Sequence, residues 1–175
     1  MKSSDSRQLL KKQPSSDPQA VLNRLMALCS RKECCVWHIQ RRLDQTTLDD
    51  EQRQAILQKL LRDRFVDNRR FVEIYCRDRC LRARWGWNKI RNGLTRWGLR
   101  DHLEEARRWC LELDPNQSAL NDLATAKWNS MILPGESLRF QERQKRCAKL
   151  SRFLLGKGYA PDDVFACVRF YFEPS

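Results

Sequence analysis

The stretch His38-Ile39-Gln40-Arg41-Arg42-Leu43 returns as Lys89-Ile90-Arg91-Asn92-Gly93-Leu94 and again as Lys149-Leu150-Ser151-Arg152-Phe153-Leu154. Each copy places an aliphatic residue after a basic or imidazole side chain, and a leucine four positions beyond that aliphatic. An i, i+4 apolar pair of this kind lies on one face of a helix. The similarity runs on. Five residues past each leucine stand Leu48, Leu99 and Tyr159, and seven further on stand Ala55, Ala106 and Ala166. Between them come acidic pairs or singles, Asp49 and Asp50, then Asp101, then Asp162 and Asp163, which suit the positive end of a helix. Another helical pattern precedes each copy. The expected fold is therefore all-α, with three tandem three-helix repeats forming an elongated, curved array of right- or left-handed sense. The expected divisions are a Ser-rich tail over 1–18, then repeats over 19–66, 67–113 and 114–175.

Local signals agree with helices throughout. Asp17-Pro18 reads as an N-cap followed by proline in the first turn. Leu22, Leu25, Met26 and Cys29 follow it at helical spacing. Ser30 with Glu33, and Thr47 with Asp50, have the spacing of capping boxes, the first ahead of an apolar face at Cys35, Ile39 and Leu43. Asp67 is expected to open a helix carrying Phe71, Ile74 and Tyr75. The next helix should run from Trp87 to Trp97 and stop at Gly98. Asp114-Pro115 repeats the cap-and-proline start, and Leu133-Pro134-Gly135 reads as a loop. No alternating strand pattern is evident.

Charge sets the expected partner. The 175 residues carry 34 Lys and Arg against 22 Asp and Glu, a formal net charge of +12. The first 18 residues hold four basic and two acidic side chains, so nearly all of the excess belongs to the helical part. From Arg77 to Arg100 eight basic residues face the single acid Asp78, interleaved with Trp85, Trp87 and Trp97. A second run, Arg139, Arg143, Lys145, Arg146, Lys149 and Arg152, faces only Glu142, with Phe140, Cys147, Leu150 and Leu154 as its expected apolar stripe. Arg31, Lys32, Arg41 and Arg42 stand on the corresponding helix of the first repeat. Arginine forks match phosphate geometry, and an exposed indole stacks on a base, although a tryptophan also serves as packing. So dense a cationic run favours a polyanion, because neutralising phosphates releases counterions. Arg77, Arg82, Arg84, Lys89, Arg91, Arg96, Lys145, Arg146, Lys149 and Arg152 are the candidate contacts to DNA or a nucleoprotein filament.

Several chemistries lack their residues. There is no phosphate-binding glycine loop, no nucleophile elbow and no paired-histidine zinc motif. His38 and His102 are the only histidines, and neither has an acid or serine placed to make it a general base. No enzyme activity and no cofactor are expected. The eight cysteines form no C-x-x-C pair, and they read as core residues of a reduced, cytoplasmic protein. Cys34 with His38, and Cys76 with Cys80, share i, i+4 spacing, and two helices could bring the four together around zinc, but core packing explains them without a metal. No apolar run approaches the ~20 residues of a membrane span, so no membrane partner is expected.

Three segments resemble the RecX family. Arg64-Phe65-Val66-Asp67-Asn68-Arg69-Arg70-Phe71, continuing to Tyr75, resembles its glycine-aromatic-aliphatic-Asp-Asp-x-Arg-Phe-Ala signature. Arg84-Trp85-Gly86, Lys89-Ile90, Leu94 and Gly98-Leu99 resemble its basic-Trp-Gly, Ile, Leu, Gly-Ile progression. Lys145, Leu150, Phe153-Leu154 and Gly158-Tyr159 resemble its closing pattern. Order and spacing hold over about residues 20–172. This chain departs at Arg64 in place of a glycine or similar turn residue, at Asn68 in place of Asp, at Val72 in place of a small residue, and at Trp87 in place of proline. The resemblance implies a crescent of three three-helix repeats. It also implies a monomeric, non-enzymatic regulator of recombination, DNA repair and the SOS response. Such a regulator binds in the groove of the RecA–single-stranded DNA filament and inhibits its strand-exchange, ATPase and coprotease activities. The basic surface would also touch single- and double-stranded DNA. The residues leave two alternatives open, a basic helical protein that binds nucleic acid without a recombinase, and an adaptor that binds an acidic protein.

Overall fold

The computed structural model describes residues 17–114, 118–132 and 138–172, all helix and connecting turn with no strand among them. Residues 1–16 of the expected Ser-rich tail, Pro115 of the expected Asp114-Pro115 start and the loop at 133–135 lie outside the described residues. The chain divides into two compact units meeting at Asp67 and Asn68.

In the first unit α1 (Pro18–Cys29) and α2 (Val36–Leu43) both pack on α3 (Asp50–Arg62). Asp17 caps α1 as expected, its carboxylate accepting from Gln19 N at 2.9 Å, with Pro18 in the first turn. The other two starts differ from expectation. Ser30 closes α1 instead of opening α2, its hydroxyl donating to the Met26 carbonyl at 2.9 Å. The Leu28 carbonyl then accepts from both Arg31 N and Lys32 N at 3.1 Å, so the chain keeps turning after α1. Burial of Cys34 and Cys35 delays α2 to Val36. The box opening α3 uses Asp49 with Gln52 rather than Thr47 with Asp50, through Gln52 N to Asp49 Oδ1 at 2.8 Å and Asp49 N to Gln52 Oε1 at 3.3 Å. Asp50 and Glu51 then sit in the first turn, where the helix dipole favours them. The core is Val21, Leu22, Leu25, Ile39, Leu43, Leu48, Ile56, Leu57, Leu60 and Val66 around Cys34.

The second unit begins with α4 (Asn68–Arg77), which buries Phe71, Val72, Tyr75 and Cys76 and continues as one π-helical turn over Asp78–Arg82. Ile74, expected on the apolar face, is 46% exposed, because 71, 72, 75 and 76 already complete the i, i+3/i+4 stripe. α5 (Trp87–Arg96) and α4 pack on α6 (Leu103–Leu113), while α7 (Ser118–Asn129), α8 (Phe140–Lys157) and α9 (Pro161–Phe172) pack on one another. Asp114 caps α7, accepting from Ser118 N at 2.8 Å and Ala119 N at 3.2 Å. Phe71, Tyr75 and Trp97 form an aromatic cluster with centroids 5.0 to 5.9 Å apart, so Trp97 is packing and not an exposed stacking platform.

The positions that repeat in sequence are buried alike at three levels and differ at a fourth. Ile39, Ile90 and Leu150, then Leu43, Leu94 and Leu154, then Leu48, Leu99 and Tyr159 are all core residues. Of the alanines only Ala106 is buried, whereas Ala55 and Ala166 are exposed.

Helix ends explain several unusual residues. Gly98 and Gly158 close α5 and α8 at φ +70° and +93°. Leu99 N and Tyr159 N reach back to the Leu94 and Leu154 carbonyls at 3.0 and 3.4 Å, the six-to-one bond of a Schellman motif. Arg64 does the same for α3 at φ +57°, with Phe65 N to Leu60 O at 2.9 Å. The position where the sequence comparison expects glycine is thus one whose backbone favours it.

Candidate nucleic-acid interface

Within the second unit a backbone joint fixes α5 against the end of α8. Gly86 N donates to the Lys157 carbonyl at 2.9 Å and Asn88 N to the Gly158 carbonyl at 3.0 Å. A Cβ on Gly86 would strike the Gly158 carbonyl, and one on Gly158 would strike Lys89, so both glycines permit the contact. Three side chains reinforce it. Lys157 Nζ donates to Ala83 O at 3.1 Å, Tyr159 Oη to Arg84 O at 3.2 Å, and Lys89 Nζ to Gly156 O at 3.1 Å. Burial, with Asp114 second, pushes the Tyr159 hydroxyl up to about 12, so it remains a donor at neutral pH.

Cations around this joint differ in how far the protein satisfies them. Arg77 pairs with Glu73 at 3.5 Å, and Arg82 approaches Asp78 at 3.8 Å. Arg79, which was not among the sequence candidates, contacts Asp78 at 3.2 Å and lies over the Tyr75 and Trp85 rings at 5.3 and 4.7 Å. Lys89 lies over Trp85 at 4.5 Å, so two cations already occupy that ring's surroundings. Trp85 is a clamp in the joint, and periodicity carried no signal for that role. Arg84 is exposed with φ +50°, and its carbonyl serves Tyr159. Among the described residues no ion pair involves Arg91, Arg96, Lys145, Lys149 or Arg152, all of which are exposed. Arg152 Nε donates to Ala148 O at 3.3 Å, and Arg146 is half-buried.

Helical geometry sorts these further. At about 100° per residue, Lys145, Lys149, Arg152 and Gly156 form one stripe along α8. Opposite them lies the buried stripe of Cys147, Leu150 and Leu154. Phe140, expected on that apolar stripe, is 67% exposed and instead meets Phe172 edge-on at 5.6 Å. On α5 Lys89 and Arg96, seven apart, share a face, whereas Arg91 lies roughly 140° round the helix from Arg96. The two stripes meet where Lys89 reaches the Gly156 carbonyl. Lys145, Lys149, Arg152, Lys89 and Arg96 therefore line one basic track, with Arg91, Arg77 and Arg82 away from it or internally paired. Beside the joint is a cavity of about 190 Å³ whose walls include Trp85, Trp87, Ile90, Leu111, Arg107 and Asp114.

No group of three or more His, Cys, Asp or Glu among the described residues is placed to hold a metal ion. His38 turns its Nδ1 to the Cys35 sulphur at 3.2 Å. No helix among the described residues is long and apolar enough to cross a membrane.

The chain is similar to known proteins in sequence and in fold. Regulatory protein RecX of Clostridium tetani (strain Massachusetts / E88) is 33% identical over 116 residues, 66% of this chain and 50% of that protein. Regulatory protein RecX of Clostridium acetobutylicum is 26% identical over 113 residues, 63% and 50% of the two chains. The chain spans about half the length of the curated relatives it matches. No family model matches it. A crystal structure of regulatory protein RecX superposes with a TM-score of 0.67 at 17% identity, over 87% of this chain and 71% of the other. That of RecX from Lactobacillus salivarius gives 0.64 at 18% identity, over 88% and 96%. Relatedness in sequence and an all-helical fold in common assign this chain to the RecX family.

Proposed function

We propose that this protein regulates RecA without catalysing a reaction, by seating its basic track on the RecA–single-stranded DNA filament and inhibiting strand exchange, ATP turnover and coprotease function. The observation that carries this reading is the run of cations along α8 onto α5, whose exposed members have no acidic partner among the described residues. Aligned like charges repel one another and are relieved by an anionic ligand. Lys145, Lys149, Arg152 and Arg96 are the primary contacts, with Arg77, Arg82, Arg84, Lys89, Arg91 and Arg146 secondary. Three three-helix repeats over 19–66, 67–113 and 114–175 are the proposed framework, supported by the equal burial of the recurring aliphatic positions. The protein acts as a cytoplasmic monomer on this reading.

The test is a titration into RecA–single-stranded DNA with ATP hydrolysis as readout. Inhibition at substoichiometric protein, weakened by Lys145→Glu with Lys149→Glu, supports the proposal. Tight DNA binding with unchanged ATP hydrolysis overturns it in favour of direct nucleic-acid binding. Neither effect at physiological salt points to an adaptor for an acidic protein.

A further inference from the structure

The cavity beside the joint lies wholly within the second unit, and its lining divides into committed groups and available ones. Asp114 caps α7, and the Tyr159 hydroxyl serves the Arg84 carbonyl. Trp85 already has Arg79 and Lys89 against its ring. Four other lining side chains are available. Trp87 is half-buried and has no ring or cation against it among the described residues. Asn88, Arg107 and Asp163 make no side-chain hydrogen bond or ion pair among those residues. Two uncommon backbone features adjoin the same space. One is the π turn Asp78–Arg82, whose Cys80 lines the cavity, and the other is Arg84 at φ +50°, one residue before Trp85. Both kinds of feature concentrate at functional sites.

We infer that this cavity binds a guanine base with its phosphate, as a mononucleotide or as one nucleotide of a single strand. Its volume of about 190 Å³ is below the ~300–1,000 Å³ of sites for drug-sized ligands, so it holds one ring system. Trp87 supplies a flat apolar face on which a base stacks, and Ile90 and Leu111 add apolar wall. An aromatic side chain from a partner protein would stack equally well. It would, however, desolvate Asn88, Arg107 and Asp163 without pairing them, which is unfavourable. A base with a phosphate meets all three. Among the DNA bases only guanine presents adjacent N–H donors on two atoms, N1 and N2, to a single carboxylate, the group Asp163 provides. Its O6 accepts from an amide, the group Asn88 provides, as in other readings of an unstacked base by its edge. The Arg107 guanidinium, a fork of N–H donors, suits the phosphate.

Saturation-transfer NMR with the full chain and excess dGMP reads the contact from the ligand's side. The guanine H8 should receive more saturation than the sugar H5′ protons, and dTMP or dCMP should receive little. Trp87→Ala should weaken dGMP binding about tenfold, the scale of one lost base–indole stack. Asp163→Asn should keep the fold and erase the preference for dGMP over dAMP, because an amide presents one acceptor and one donor. Arg107→Gln should weaken dGMP but not guanosine. Fluorescence anisotropy with a thymidine oligonucleotide, with and without one central guanine, separates the two sources. Tighter binding with the guanine, abolished in Trp87→Ala, identifies a base of the strand, whereas dGMP binding without that gain identifies a free nucleotide. No saturation of dGMP together with no gain from the oligonucleotide's guanine overturns the assignment. So does equal saturation of dGMP and dTMP that a folded Asp163→Asn protein leaves unchanged. RecA is absent from every readout, so loss of this site and loss of filament inhibition are told apart.

Discussion

Replacing Gly86 with alanine tests the joint that positions α5 against α8. The added Cβ meets the Gly158 carbonyl and the Tyr159 amide, both backbone groups that cannot swing aside as a side chain would. Relief requires the two segments to separate. That breaks Gly86 N to Lys157 O at 2.9 Å and Asn88 N to Gly158 O at 3.0 Å, and loosens the Tyr159 and Lys157 contacts with the carbonyls of residues 83 and 84. Two backbone hydrogen bonds at about 1 kcal/mol net each, with about 1 to 3 kcal/mol of overpacking, give a destabilisation of about 3 to 5 kcal/mol. Gly156→Ala is the matched control. No neighbour lies within 4 Å of a Cβ there, and the position is helical, so alanine should be neutral or stabilise by up to about 1 kcal/mol. Urea unfolding followed by far-UV circular dichroism measures both. A Gly86→Ala midpoint indistinguishable from the parent would refute the steric reasoning. Destabilisation by Gly156→Ala equal to that of Gly86→Ala would show that the end of α8 is merely intolerant of substitution.

Arg64→Gly should raise stability by about 0.5 kcal/mol, since relieving a left-handed arginine gains about 1 to 2 kcal/mol and glycine's extra chain entropy returns part of it; a lowered urea midpoint would contradict this. Stability should decline as pH rises above about 8.5, the ordinary thiol value. Cys35, Cys147, Cys167, Tyr75 and Tyr159 are all raised in the folded protein, so the unfolded chain loses these protons first and ionisation favours unfolding. Urea midpoints at pH 8 and pH 10 would show it, and an unchanged or rising midpoint would not fit. Absorbance at 295 nm should show one tyrosine ionising near pH 12, lost in Tyr159→Phe.

Periodicity exposed the helices because an i, i+4 pair survives any tertiary arrangement. Ile39 and Leu43, Ile90 and Leu94, and Leu150 and Leu154 are core residues for that reason. Caps were harder to place. Ser30 and Glu33 have box spacing, yet the decision lay with Cys34 and Cys35, whose burial no local pattern announces. Ile74 and Phe140 fit apolar stripes on paper and lie outside them in space, since a helix face has room for only one partner surface. For the candidate site, charge density found the cations but could not tell a committed one from an available one. Lys89 and Arg91 are two residues apart in one basic run, and only the first serves the joint with α8. That difference depends on Gly156 and Trp85, which a one-dimensional reading cannot bring beside Lys89.

The sorting of cations makes the functional proposal sharper than charge alone would. A polyanion bound along the track should depend on Lys145, Lys149, Arg152 and Arg96 and much less on Arg91, although all five are exposed in α5 or α8. If about five phosphates are neutralised, the logarithm of the association constant for single-stranded DNA should fall against that of salt with a slope of about −3.5. Each lost contact should reduce that slope by about 0.7 and weaken binding several-fold near physiological salt. Lys149→Glu, which also introduces repulsion, should cost about tenfold on the same scale. Arg91→Glu changes net charge equally but sits roughly 140° from Arg96 on α5, so it should act only through the screened long-range field. Fluorescence anisotropy with a labelled oligonucleotide over a salt series separates the two cases. Equal loss from both variants would mean that net charge and not the track governs binding. A preserved slope in Lys149→Glu with tight binding would place the contact elsewhere. Steeper loss in Lys149→Glu, with Lys145→Glu behaving alike, would tie the polyanion to the stripe that α8 presents.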